Sequence, residues 1–580
     1  MSFLANSWIG EHILTLVMFF PVACAMVLYS RRDWEPAAVR RFALASSLLT
    51  LMLAVAATML YLEESLSARY RGGYGLVERA DWIIGQSGAV ALQIQYYVGV
   101  DGISLPLVLL TAFLTPLAIW GSYTGIGERH REYYSLMLML LGAMLGVFCA
   151  RDLLLFYVCF EFTLIPLYFL IGIWGGSQRA KAANMFFLYT LAGSMLTFAG
   201  VLYLGWQASQ APLAPGGTHA FTFDMDVLGR LAPEGVLSLN AQWWLFLAFF
   251  AGFAIKVPLF PFHTWLPLAH TEAPTAGSVL LAAVLLKLGT YGFLRLSLPT
   301  LPDATLALAP AMATLAVVGI VYGALAAWVQ TDVKKLVAYS SVSHLGFCLL
   351  GMFSLKMAGL TGSLLYMINH GLSTGALFLI VGMIYERYHT REMAEIGGLA
   401  HKMPIMAFFL IVFTMSSIGL PGLNGFVSEF LVLLGTFTSA SESGGTPVGP
   451  LKPVYAVVAA SGILLGAIYM LHMAGRVLFG PPKEPGHGFD ASTGLTQDLT
   501  RREVSILAPI ALVCLFLGVY PKPVMNMIEP SLHEAVLTRV LGPANEDATG
   551  DAVVIHENSV SRESQPRVAV TAAPVTGGHP

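Results

Sequence analysis

Four charged side chains stand near the middle of long apolar stretches, and these are the residues with chemistry to do. Glu161 lies in LLFYVCFEFTLIPLYFL, Lys256 in FLAFFAGFAIKVPLF and Lys287 in VLLAAVLLKLGTYGF; Glu429 follows the broken run GLPGLNGFVS. A charge held at mid-bilayer costs from about 2.5 kcal/mol upward, so each needs a reason to be there. His344 in SSVSHLGF, His370 in MINHGL and His263 in KVPLFPFHTWLP extend the set. Acids, lysines and imidazoles on successive helices have the chemistry of a chain of proton carriers. Burial weakens a lysine's hold on its proton, and a nearby carboxylate restores it. If Glu161 faces Lys256 at about 4 Å in an effective dielectric near 20, the pair is worth about 4 kcal/mol. Separating them would then push Lys256 to release its proton, with Lys287 as the next acceptor and His344 and His370 bridging to Glu429.

Each of these residues has a plainer role to set against that one. A Glu161–Lys256 pair could simply tie two helices together, and His344 and His370 could donate to backbone carbonyls. His263 and His270 lie close to a helix break, where the plain role weighs as much as the functional one. Asp101, Asp152 and Asp332 sit where helices are expected to start, which suits capping of free N–H groups. Lys334 and Lys335 are expected to snorkel to the membrane surface, with Lys335 also a candidate to feed protons inward.

The elements that must position these residues are membrane-spanning helices. The chain is 56% hydrophobic and 11% charged, and its mean hydropathy is +0.71. A soluble protein of 580 residues needs more polar surface than that. Apolar runs of about 20 residues cross a hydrocarbon core about 30 Å thick, and lipid offers the backbone no hydrogen bonds. The expectation is an all-α integral membrane fold with about fourteen helices, the third over residues 98–123. The stretches 241–268 and 403–434 are longer than a bilayer requires. Pro258, Pro261 and Pro267 interrupt the first, while Gly419, Pro421, Gly422 and Gly425 interrupt the second, so helices 7 and 12 should break. Broken helices five apart point to two inverted five-helix repeats, helices 4–8 and 9–13, around a transport path.

The expected organisation is therefore three N-terminal helices (1–132), a first repeat (133–300), a second (301–480), a C-terminal helix (481–530) and a polar, disordered tail (531–580). Arg31, Arg32, Arg40, Arg41, Arg129, Arg131, Arg179, Lys181, Lys334, Lys335, Arg387, Arg391, Lys402, Arg476, Lys483, Arg501 and Arg502 all follow odd-numbered helices. The positive-inside rule puts those connections in the cytoplasm and both termini outside it. The first apolar stretch has no basic residue ahead of it and reads as a retained helix.

Other functions lack their signatures. The net charge is −3 with no basic stripe among aromatics, which gives no support for a nucleic-acid partner. Cys24, Cys149, Cys159, Cys348 and Cys514 are scattered singly, without the spacing of a metal or iron–sulfur site. No glycine-rich nucleotide loop opens a helix.

Glu161, the block FAIKVPLFPFHTWLPLAHTEAPTAGSVLLAAVLLKLG, DVKKLVAYSSVSHLGF and GLPGLNGFVSEF together resemble the antiporter-like subunits of respiratory complex I, over about residues 98–480. These are related to subunits of multi-subunit Na⁺/H⁺ antiporters, the alternative reading. The glutamate at 429, where other branches usually carry lysine, resembles the bacterial chain M branch. The resemblance implies that Glu161 and Lys256 couple, Lys287 carries centrally, His344 and His370 lie on a connecting axis, and Glu429 is the terminal group toward the exit. It also implies that this chain carries no cofactor. NADH, FMN, iron–sulfur clusters and quinone would be bound by partner subunits of a membrane arm in the bacterial inner membrane, this chain being a translocase subunit without a redox centre.

Overall fold

The computed structural model describes residues 7–66, 73–87, 90–212, 219–441, 449–486, 488–490 and 494–542. Eleven of the described helices are long and apolar enough to cross a membrane, from Ile13–Ser30 to Arg501–Val519. Leu105–Gly121, Pro404–Ser417 and Asn424–Phe437 are shorter apolar helices.

Polar contacts sort the helix ends onto two faces. On one, the start of the first helix, the 149–153 turn and residues 220–230 gather beneath an antiparallel hairpin, β1 (Gly75–Ser87) and β2 (Val90–Val100), joined by the short parallel strand β3 (Ala220–Thr222). Glu78 on β1 accepts from Leu14 N at 2.8 Å and Thr15 N at 3.1 Å, placing a carboxylate at the N-terminus of the first helix. The helix Lys522–Leu532 follows the last span onto this face, where Ser531 Oγ accepts from Gly102 N at 2.9 Å. On the other face Arg40 meets His130 and Ile126, Thr124 meets Glu386, and Arg391 meets Asp332 and Thr271. Arginines concentrate on this second, basic face.

The two expected breaks are present. Helix Leu239–Lys256 stops before Val257 and resumes only at Trp265–Glu272, because Pro258 and Pro261 supply no N–H to the ladder. Trp265 Nε1 donates to the freed carbonyl of Ile255 at 2.9 Å. Helix Pro404–Ser417 stops before Ile418 and resumes at Asn424–Phe437, with Gly419 and Gly422 at φ +73° and +91°. A β-carbon on Gly419 would also crowd Glu429 Oε2, so the positive φ and the neighbouring carboxylate both favour glycine at the turn.

Two expectations are corrected. The helix expected over 98–123 begins at Leu105, since Leu92/Ile94 and Gln93/Gln95 alternate with strand periodicity and belong to β2. Asp101 accepts from the free N–H groups of Ile103 and Ser104 just ahead of that helix, as expected, and also pairs with Arg295. Asp152 and Asp332 cap helices, each accepting from two backbone N–H groups. Residues 531–541, expected in a polar tail, continue as helix to Leu541, with Leu532, Val536 and Val540 buried. The rest of that tail lies outside the described residues.

Candidate functional site

Lys287 occupies a helix of unusual winding. Residues Thr275–Thr300 form one continuous buried span, but Leu281–Leu285 and Phe293–Ser297 are π-helical turns on either side of the lysine. A π turn shifts the hydrogen-bond ladder by one residue and leaves a carbonyl free for another donor. Lys287 Nζ donates to the carbonyl of Ala282 at 2.5 Å. Close packing holds this helix in place, because Gly289 and Gly292 lie directly against Phe253 and Val257.

From Lys287 the polar groups follow one another toward Glu429, with a gap between the two imidazoles. Its Nζ is 2.6 Å from His370 Nδ1, and the His370 and His344 ring centroids are 5.7 Å apart. His344 Nδ1 lies 2.5 Å from Tyr366 Oη, and Tyr366 Oη donates to Glu429 Oε1 at 2.9 Å. Tyr469 Oη approaches the other nitrogen of His344 at 3.3 Å. Lys287, His344, His370 and Glu429 are all buried. A cavity of about 10 Å³, room for about one water, lies among His344, His370, Asn369 and Glu429. Asn369 Nδ2 donates to the carbonyl of Asn424 at 2.7 Å, holding the second helix break beside this cavity.

The other end is not joined in the same way. Lys256 is buried; its Nζ donates to Thr163 Oγ1 at 3.2 Å and lies 4.6 Å from the centre of the Phe160 ring. Glu161 is only half-buried, and its Oε1 has no hydrogen-bond partner among the described residues. The expected close Glu161–Lys256 pair is therefore absent here. The Thr163 hydroxyl takes the lysine instead. His263 stacks on Phe260 at 5.8 Å and against Tyr322, away from the Lys287–Glu429 line.

Of the two lysines at the start of Val333–Phe353, one stays at the surface as expected and the other turns inward. Lys335 is exposed. Lys334 is buried and donates to the carbonyls of Ala273 at 2.6 Å and Thr271 at 3.4 Å, because the gap before Thr275 turns those carbonyls toward it. It lines a cavity of about 560 Å³ with Glu272, Glu386 and Arg391, at the basic face. His270, fully buried and stacked on Phe378 at 4.6 Å, has neither ring nitrogen bonded among the described residues. The sequence left the plain and functional roles of His270 evenly weighed and gave no sign of Tyr366, Tyr469 or Asn369. Tyrosine and asparagine are ordinary in apolar helices, and only the packing aims these at the line.

The fold and the site define a polytopic membrane protein in which broken helices bring ionisable side chains together at the centre of the bundle. The family model for the NADH:quinone oxidoreductase/Mrp antiporter transmembrane region matches residues 150–443, and that for the amino terminus of NADH-ubiquinone oxidoreductase chain 4 matches 44–148. NADH-quinone oxidoreductase subunit M of Rhodobacter capsulatus is 42% identical over 91% of this chain and 96% of its own length. NADH-ubiquinone oxidoreductase chain 4 of Marchantia polymorpha is 43% identical over 76% and 83%. Among solved structures, a chain of respiratory complex I from Thermus thermophilus matches with a TM-score of 0.75 and 29% identity, over 91% of this chain and 99% of that one. A chain of the Mrp complex from Dietzia has a TM-score of 0.70 at 21% identity, over 90% and 52%, a likeness of fold. The chain belongs to the family of NADH:quinone oxidoreductase/Mrp antiporter transmembrane subunits.

Proposed function

We propose that this chain is the proton-translocating subunit M of a bacterial NADH:quinone oxidoreductase, working in the membrane arm beside other antiporter-like subunits. It is a subunit of that enzyme without a redox centre of its own; NADH, FMN, iron–sulfur clusters and quinone belong to partner chains. The observation that carries the reading is the line from Lys287 through His370, His344 and Tyr366 to Glu429. Each member can take or give a proton, and the small cavity beside them has room for the water that a proton needs to cross the gap between imidazoles.

In this reading the basic face is cytoplasmic and both termini are periplasmic, following the positive-inside rule. Protons enter by the cavity at Lys334 and pass His270 to Lys287; Glu429 is the last group before the exit. Glu161 and Lys256 switch the path. When Glu161 moves away from it, Lys256 is pushed to release its proton to Lys287, which passes its own toward Glu429. Re-forming the pair reloads the site. The two helix breaks mark equivalent places in two inverted five-helix repeats.

The test compares membranes carrying Lys256→Ala or Lys287→Ala with the native complex, assembly being checked on a native gel. NADH-driven quinone reduction and proton uptake into inverted vesicles should both collapse in an assembled complex. Normal rates of both would sink the reading. Membrane vesicles also separate the alternative, a subunit of a multi-subunit Na⁺/H⁺ antiporter, because that would exchange Na⁺ for H⁺ without NADH.

A further inference from the structure

The helix that carries Lys287 also carries Arg295, eight residues or about 12 Å nearer the hairpin face. Arg295 is buried, and its guanidinium is bonded on three sides. Nε donates to Tyr291 Oη at 3.2 Å, one terminal nitrogen to Tyr74 Oη at 2.8 Å, and the other to both oxygens of Asp101 at 2.7 and 2.8 Å. Tyr291, one turn beyond Lys287, sends its own proton to the carbonyl of Phe148 at 3.3 Å. Arg151, also buried, packs its guanidinium on the Tyr74 ring and pairs with Asp226 at 2.8 Å. Arg539, from the helix beyond the last span, reaches the same Asp226 at 3.7 Å. The space left among Arg151, Arg295 and Arg539 is about 10 Å³, too little for a file of waters.

We propose that Arg295, backed by Arg151 and Arg539, is a seal that stops a proton on Lys287 from leaving along its own helix to the hairpin face, so that it must travel to Glu429. The inference rests on the proton-path reading above. Its physical basis is the order of the hydrogen bonds. Tyr291 and Asp101 could both carry a proton, and the guanidinium stands between them. A guanidinium has no acceptor lone pair and does not release its proton at any working pH, so it cannot relay one. Asp101 offsets the guanidinium's charge, so the block rests on the missing acceptor, and a barrier of about 1.4 kcal/mol slows such a crossing about tenfold. The established line to Glu429, by contrast, contains only groups that titrate or reorient.

A purely structural fastening would use the same Asp101 pair, so the readout must be the leak itself. Inverted vesicles bearing the assembled complex are loaded at acid pH and diluted into neutral buffer, and the decay of this imposed pH gradient is followed; uptake per NADH is measured in parallel. In Arg295→Gln the decay should quicken about tenfold, and protons taken up per NADH should fall while NADH oxidation continues. The double variant Arg295→Gln/Asp101→Asn, which keeps a hydrogen-bonding pair of similar size without charge, should behave alike and covers a failure of the single variant to assemble. Adding Lys287→Ala should return the decay to the native rate. Unchanged decay and yield in an assembled variant, or a leak that persists without Lys287, would overturn the proposal. The proton-path reading fails separately, if Lys287→Ala alone still pumps normally.

Discussion

Tyr366 connects His344 to Glu429, its hydroxyl lying within hydrogen-bond distance of both. Phenylalanine at this position keeps the ring that stacks on Phe347 at 5.8 Å and removes only the oxygen. A hydrogen bond to a charged group contributes about 1.5–3 kcal/mol, so Tyr366→Phe should slow proton uptake about 10- to 100-fold in a complex that assembles normally. Parallel assays of uptake and assembly check this, and full uptake would remove Tyr366 from the path. Gly419 shows a different requirement. Its neighbour in space is the Glu429 carboxylate, so a residue ten positions away in sequence decides what can stand at the turn.

Glu78 gives the hairpin its hold on the first helix. Its carboxylate serves Leu14 N, Thr15 N and the Thr15 hydroxyl, which itself meets Tyr96 from β2. Replacing the charge by an amide keeps one acceptor and loses the attraction of an anion to a helix N-terminus, worth about 1–2 kcal/mol in a partly buried setting. Glu78→Gln should therefore raise amide exchange at residues 13–16 and 75–100 about 5- to 30-fold, leaving the central helices unchanged. Equal exchange in both proteins would show that packing alone docks the hairpin.

Over the whole molecule, the ion pair between Arg387 and Glu503 fastens the helix Met357–Tyr388 to the last span on the basic face. Both side chains are buried, and two bonds of 2.8 Å join them. The remaining donors reach the carbonyls of Thr496, Asp498 and Met383. Removing one partner leaves a buried charge without compensation, at a cost of about 3–5 kcal/mol, whereas replacing both by apolar groups is often neutral. Arg387→Met should lower the yield of assembled complex and its melting temperature, and Arg387→Met/Glu503→Leu should recover most of the loss. A double variant no better than the single would mean that the carbonyl contacts, not the ion pair, hold the two spans. By itself, the sequence determined the membrane class, the helix breaks at Pro258–Pro261 and Gly419–Gly422, and that Lys256, Lys287, His344, His370 and Glu429 stand within apolar helices. Each follows from a local rule: chain length against bilayer thickness, proline's missing N–H, and the cost of a charge in an apolar run. The hairpin was less legible, because its period-2 alternation sits beside an apolar run that blends into the next helix. Only the tertiary structure decided which groups touch. It put Tyr366 between His344 and Glu429, turned Lys334 inward while Lys335 faces out, and left Lys256 with Thr163 instead of Glu161. Contacts between helices depend on rotation and depth, and residue types alone do not encode either.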